Sequence, residues 1–529
     1  MPTPRLPRRH HGQKQNGLAF RPGGRGYVPT RLSIQTEHYH WSVVSDEYSG
    51  ELIRLTFAVL LADENPLAGF KFGRLPTEPL VNIFRHARTD SALNAYIDTF
   101  RYPVALSQVC RYWRTVVLGA PTLWANIDVP EYHTEEAKEA ARIYLERSKT
   151  CPIFLTWFTE EENFHTDVPA VVQNIIIPGA KRWQRITLFA GNRKVPDSLL
   201  AAMESLNFPI LQDLEISCKP FLDSYSPKST LRPTAPLLRR CRLRDISSLP
   251  PPSNLVVLDY VFLESGWLSD SFNLDPLLEF LPHVAHSLEH LRCGPPPISR
   301  VHFTPRVSKI PLENLKSIHT MESHAIMDHI LAPNLTYFAA SYPPIADAVW
   351  VAGVFEGFSA PKMRSIRFRR APLIPLLTTH HLPSMFPQLE SVLFYDCPGE
   401  LAFVPLLEPP KPKKPSSLKK ASKHPPKLRK VENPFPHLKE LTISDMTIWP
   451  FLQAVIEKRL KNGDKSLRKI QLPKGTMGNT VVSNLRRWLP AHGIELASYY
   501  PEELPKSAPE FLDKFCDEDN DLFELVSGV

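Results

Sequence analysis

The sequence predicts an α/β chain in which a short helical module precedes an irregular solenoid of strand-plus-helix or strand-plus-loop repeats. Three observations predict it. Proline is abundant, 54 residues against 21 glycines in a chain of 529. Helix and strand interiors reject proline, so the elements must be short and the turns many. Between residues 75 and 118 apolar side chains recur at helical spacing, and from Trp183 onward one apolar pattern returns eleven times.

The bulk numbers set limits on this reading. A length of 529 residues exceeds one ordinary compact domain, while 43% hydrophobic and 22% charged residues are normal for a globular protein. The net charge of +7 is unevenly placed. Residues 1–35 hold seven Arg or Lys and no acid, and residues 409–431 hold nine more, again with no acid. Without those sixteen positive charges the remainder carries −9, and residues 502–524 alone hold nine acids and two lysines. Basicity confined to tails and loops argues against a folded nucleic-acid-binding surface. The seven cysteines are scattered, odd in number and contain no Cys-x-x-Cys, which argues against a disulfide framework and a zinc site. The first 35 residues lack a signal-peptide core, and the best apolar run, residues 52–62, is far short of the roughly 20 needed to span a bilayer. A cytoplasmic or nuclear protein that does not enter a membrane is expected.

Taken in order, residues 1–36 read as a disordered basic arm and residues 37–66 as a helical segment ended by Asp63-Glu64-Asn65-Pro66. Residues 67–130 are the most legible. Thr77 can cap a helix with Pro79 in its first turn, and Leu80, Ile83, Phe84 and Ala87 then form one face. A second helix is read from Leu106, Val109, Cys110, Trp113, Val116 and Val117, stopped by Gly119-Ala120-Pro121. Leu123-Trp124 and a short strand at Ile127-Asp128-Val129 follow. Neither helix is long enough to be stable alone, so their apolar faces must pack together or on a partner. Residues 131–182 read as a linking helix and strand region.

The repeat spans residues 183–500. Its unit, apolar-x-x-apolar-x-apolar, starts at Trp183, Leu211, Leu238, Leu255, Leu288, Leu315, Leu335, Met363, Leu389, Leu438 and Leu467. Most intervals lie in or near the leucine-rich-repeat range of roughly 20–29 residues. The one 49-residue interval contains the 23-residue Lys/Pro-rich stretch 409–431, read as a disordered insertion in an inter-repeat loop. The Asn or Cys expected three places after the third apolar position occurs only as Cys397, so the array is irregular. Residues 501–529 form an acidic tail.

The run Leu75-Pro76-x-Glu78-x-Leu80-x-x-Ile83-Phe84, then Leu106-Ser107-x-Val109-Cys110-x-x-Trp113-Arg114, then Pro121-x-Leu123-Trp124, resembles the F-box. With Tyr144-Leu145-Glu146-Arg147-Ser148, Ile153-Phe154-Leu155 and Arg182-Trp183, the chain is similar to the large fungal set of F-box proteins with degenerate leucine-rich repeats. The resemblance implies a three-helix module that docks on the Skp adaptor, and through it a cullin, of a ubiquitin ligase. Leu75, Pro76, Leu80, Ile83 and Phe84 would line the first docking surface, and Val109, Cys110, Trp113 and Arg114 would complete it. One departure is residues 88–103, a longer spacer than usual between the two helical halves. It keeps an alternative open, a repeat-based interaction scaffold that does not engage the ligase.

A target protein would lie along the repeat strands, on side chains between and after the apolar positions. There Arg240, Arg242, Arg244, Arg292, Arg367 and Arg369, with His290 and His319, form a basic set suited to an acidic or phosphorylated segment. The sequence holds no Walker loop, dinucleotide fingerprint, HExxH or Gly-x-Ser-x-Gly, so no catalytic residue, cofactor or metal is expected.

Overall fold

The computed structural model divides the chain into two units, Met1–Gly119 and Ala120–Val529. It describes residues 31–36, 39–44, 75–89, 102–129, 135–159, 172–218, 235–261, 275–294, 309–321, 326–341, 360–370, 385–397, 403–408, 435–444, 448–473 and 480–499, apart from a few positions inside those ranges. The expected arm up to residue 30, the Lys/Pro-rich insertion and the acidic tail lie outside the described residues.

In the first unit, strands β1 (Arg31–Thr36) and β2 (Tyr39–Val44) pair antiparallel, with Thr36 opposite Tyr39 and Arg31 opposite Val44. This corrects the expected end of the basic arm and start of a helical segment at 37–66. The apolar residues Leu32 and Ile34, then Trp41 and Val43, alternate with period two, and that period fits a strand better than a helix. Three helices follow, α1 (Thr77–Thr89), α2 (Tyr102–Val109) and α3 (Arg111–Gly119). Helix α1 begins at Thr77 itself, one residue ahead of a start capped by that side chain, with Pro79 in its first turn as expected. The helix expected from Leu106 to Val117 is instead two, because Pro103 can open a helix earlier and Cys110 divides the run.

In the second unit a 3₁₀ turn, Pro121–Trp124, leads into β3 (Asn126–Val129). Helix α4 (Glu135–Arg147) and β4 (Ile153–Thr159) come next. Arg182 ends α4 from 37 residues away, its guanidinium donating to the Leu145 carbonyl and the Ser148 hydroxyl at 3.0 Å each. These bonds satisfy carbonyl and hydroxyl groups that the last helical turn leaves over. Next along the chain, Trp183 opens β5 (Trp183–Ala190), and its indole donates to the Ile176 carbonyl at 2.9 Å. Gly179 makes room for that ring, since a Cβ there would meet it at 2.6 Å.

The remaining strands are β6 (Asp213–Cys218), β7 (Arg240–Arg244), β8 (Val257–Val261), β9 (His290–Cys293), β11 (Ser317–Met321), β13 (Tyr337–Ser341), β14 (Ser365–Arg369), β15 (Ser391–Tyr395), β16 (Glu440–Thr442), β17 (Lys469–Pro473) and β18 (Glu495–Tyr499). A separate short pair, β10 (Ile310–Pro311) and β12 (Ile330–Leu331), lies outside their sheet. Strands β3 to β9, β11 and β13 to β18 form one parallel sheet of fourteen, and its spatial order is the chain order. A doubly wound sheet reverses its order at a switch point; this one never does among the described residues.

The sheet starts two strands earlier than the expected repeat. Trp124-x-x-Ile127-x-Val129 carries the same apolar pattern, and β3 and β4 pair in the sheet, so part of the 131–182 link belongs to it.

The three apolar positions of the unit form the core. Leu211, Leu214 and Ile216 are buried, as are Leu389, Val392 and Phe394, and Leu438, Leu441 and Ile443. Only Leu467 among the eleven leading residues is half-exposed. Each full burial of such a side chain contributes roughly 1.5–3 kcal/mol. The prolines ahead of the units act through turns. Phe208-Pro209, Ala235-Pro236, Ala332-Pro333, Ala360-Pro361, Phe386-Pro387 and Phe435-Pro436 each place proline second in a four-residue turn. In each, the N–H of the unit's first apolar residue bonds the carbonyl before the proline at 3.0–3.3 Å. Phe338, Phe368, Phe394, Phe403 and Phe435 run as a chain of ring contacts 4.7–6.1 Å apart. Cys397 is buried, its thiol donating to the Phe368 carbonyl on the neighbouring strand at 3.2 Å. Strands β15 and β16, either side of the long interval, are direct neighbours.

Candidate functional site

Two surfaces carry the residues singled out in the sequence. The first is the helical face of the N-terminal unit. Phe84 of α1 meets Trp113 of α3 edge to face at 4.7 Å, and the Tyr102 hydroxyl donates to the Phe84 carbonyl at 2.9 Å. Burial pushes the Tyr102 phenol well above its ordinary pKa, so it remains a donor. The Tyr112 hydroxyl donates to the Leu75 carbonyl. At the α2–α3 break Cys110 caps α3, with the Trp113 N–H on its sulfur at 3.4 Å and the Arg114 N–H on its carbonyl at 3.0 Å. Arg114 Nε then donates back to the Ser107 carbonyl at 3.0 Å.

This packing sorts the nine expected adaptor-binding residues into two groups. Leu80, Phe84 and Trp113 are 0%, 1% and 4% exposed, so they hold the helices together and do not offer a surface. All three are expected to meet an adaptor; in the chain by itself each is the inward member of its helix stripe. Pro76, Ile83, Cys110 and Arg114 are exposed, and Leu75 and Val109 are half-buried. Three apolar residues outside the expected set are also open to solvent: Pro79 is exposed, Val104 is 37% exposed and Leu118 is 42% exposed. Leu118 follows Arg111 and Arg114 at helical spacing, and that signal could have found it. Val104 follows the spacer and is legible only once α2 is known to begin at Tyr102.

The second surface is the sheet face opposite the apolar core. Across five adjacent strands its central row reads Glu215, Arg242, Asp259, Arg292, His319. Arg242 pairs with Glu215 and stands 3.5 Å from Asp259; Arg244 and Arg292 reach the same Asp259 at 3.8 and 3.7 Å. Arg292 also donates to Met321 Sδ at 3.4 Å. Arg240 pairs with Asp213, Arg367 donates to the Tyr337 hydroxyl at 3.1 Å, and Arg369 lies over the Tyr395 ring at 5.6 Å. Arg244, Arg292 and Arg367 are at most 8% exposed. The expected basic reading face includes those three. They are buried as they stand, with Asp259 and Tyr337 from neighbouring strands among their partners.

The two histidines of this face behave accordingly. His290 contacts the Ser317 hydroxyl at 2.8 Å, and burial above all lowers its pKa to about 4. His319 contacts the Ser341 hydroxyl at 3.0 Å and is held well below the usual range, first by burial and then by Arg292, Arg367 and Arg369. Both are neutral at pH 7. Among the described residues no three His, Cys, Asp or Glu side chains are grouped to hold a metal ion, and no helix is long and apolar enough to cross a membrane.

One comparison with known proteins falls on the first surface. A family model described as F-box-like matches residues 72–130, which covers α1 to α3, the 3₁₀ turn and β3. This segment is therefore an F-box-like domain, about a tenth of the chain. No curated protein matches the sequence. Among solved structures, the crystal structure of the Rad7 and Elc1 complex in yeast is similar, at 14% identity, over 60% of this chain and 88% of that one. Its TM-score of 0.25 is too low to carry an argument.

Proposed function

We propose that this chain is a substrate receptor of a Skp–cullin–F-box ubiquitin ligase. The observation that carries the reading is the F-box-like match at 72–130, which falls on helices whose internal packing leaves Pro76, Pro79, Ile83, Val104 and Leu118 in solvent. Apolar side chains concentrated on one helical module, with Arg111 and Arg114 beside them, suit recognition by a partner with an apolar groove. The fourteen parallel strands in chain order support a leucine-rich-repeat solenoid as the part that holds the target. The chain itself would perform no chemistry. It would raise the effective concentration of target lysines near a charged ubiquitin-conjugating enzyme, and proximity would supply the rate.

The exposed rim sets the test. Ile83→Asp with Leu118→Asp places two charges on the proposed interface without entering the Leu80–Phe84–Trp113 core. Pull-down with the Skp adaptor is expected to recover wild type and to lose at least about tenfold in affinity for the double variant. Equal recovery of adaptor by both, with unchanged melting temperatures, would remove the ligase reading and leave the scaffold alternative.

A further inference from the structure

The sheet face that carries the arginines is not uniformly accessible. In β6 its three positions, Asp213, Glu215 and Ser217, are all part-exposed, whereas every residue of β11 is buried, and in β13, β14 and β15 only the last residue is not. Among the described residues one open part lies at the N-terminal strands and holds two features. Phe158 of β4 and Phe189 of β5 are register partners stacked at 4.9 Å with their planes 9° apart, and Phe158 is 43% exposed. Four residues earlier on the same strands, Arg185 lies over Phe154 at 5.9 Å. Arg185 and Arg240 share one carboxylate, Asp213, with side chains 48% and 59% exposed against 15% for the acid.

Two guanidiniums on one carboxylate leave a local charge of +1. Each directs two nitrogens at Asp213, so donor capacity remains on the solvent side. The ring pair offers a flat apolar platform roughly 13 Å away, four residues along the strands at ~3.3 Å each. In an extended peptide, side chains four residues apart point the same way at that spacing.

We propose that Phe158, Phe189, Arg185 and Arg240 hold an extended segment of the target protein, by an aromatic or large aliphatic side chain on the rings and a carboxylate four residues away on the guanidiniums. The assignment rests on the substrate-receptor reading and places recognition at the open strands instead of the buried arginines of the middle ones. Charge complementarity selects the acid, and the stacked rings, with Phe158 exposed and Phe189 half-buried, select the anchor.

Panning a phage-displayed library of random peptides against the full chain tests it. Enrichment of an apolar anchor and an acid four positions apart is expected. A synthetic peptide from that set, followed by fluorescence anisotropy, should lose at least about tenfold in affinity to Phe158→Ala and to Arg240→Glu, and keep most of it for Arg240→Lys. A phosphoserine version binding more tightly than the carboxylate at the same position would overturn the choice of acid. No enrichment, or peptides that bind all variants alike, would overturn the site. The Ile83→Asp, Leu118→Asp variant separates the two ideas, because it removes adaptor binding while this peptide affinity stays unchanged.

Discussion

His290 and His319 are neutral side chains set among cations, and their protons have a definite cost. The ordinary histidine pKa is 6.5, and in the fold that of His290 is lowered to about 4, by burial first and by Lys316 last, against a smaller opposing pull from Glu289. Between those values the unfolded chain binds a proton that the folded chain refuses, so stability falls as pH drops from 6.5 to 4. Above 6.5 neither state is protonated and the contribution is constant. Within the window the slope approaches about 1.4 kcal/mol per pH unit. Urea midpoints at pH 7, 6 and 5 should therefore fall less steeply for His290→Gln than for wild type; parallel curves would show that the group is not perturbed. The same residues show the limit of sequence reading. Arg244 and Arg292 were legible as a basic set, but Asp259, which both face, is not adjacent to either in the chain. Only strand register brings them together.

At the scale of elements, legibility followed the strength of the period. Helix α1, with an early proline and a clean stripe, starts within one residue of the expected cap at Thr77. The α2–α3 break is not legible, because Cys110 continues the helical apolar pattern and ends the helix only through the cap it makes. The β1–β2 hairpin is less legible, because the neighbouring apolar residues from 52 to 62 favour a helix over the weaker two-residue alternation. Helix α4 shows a device invisible to local pattern: its C-terminal carbonyl at Leu145 is bonded by Arg182, next to Trp183 at the start of another repeat. Arg182→Ala should cost about 1–3 kcal/mol and raise amide exchange in the last turn of α4 more than in β5. Uniform protection in wild type and variant would mean that the helix ends without this bond.

At the scale of the whole molecule, order in the array comes from repeated small decisions. Each proline turn delivers a leucine, or at Met363 a methionine, to the core, each strand of the large sheet pairs with the one before it there, and the backbone ladder passes on through bonds such as Lys316 N–H to the Glu289 carbonyl and Lys439 N–H to the Glu390 carbonyl. An array built this way tolerates additions between strands, because closing a loop costs only ~0.6 kcal/mol for each doubling of its length. The 49-residue interval tests this directly. Strand β15 meets β16 with Ser391 opposite Glu440, and Lys439 bonds Glu390 at 2.7 Å, despite the nine basic residues of 409–431 lying between them in sequence. Phe403, Val404 and Leu407 before that stretch and Phe435 after it are buried, so the core closes on both sides of it. Deleting residues 409–431 should therefore change the denaturation midpoint by the equivalent of less than about 1 kcal/mol and leave adaptor recovery intact. A large loss of stability would mean that the basic stretch is part of the packed array, and that β15 and β16 need it to find each other.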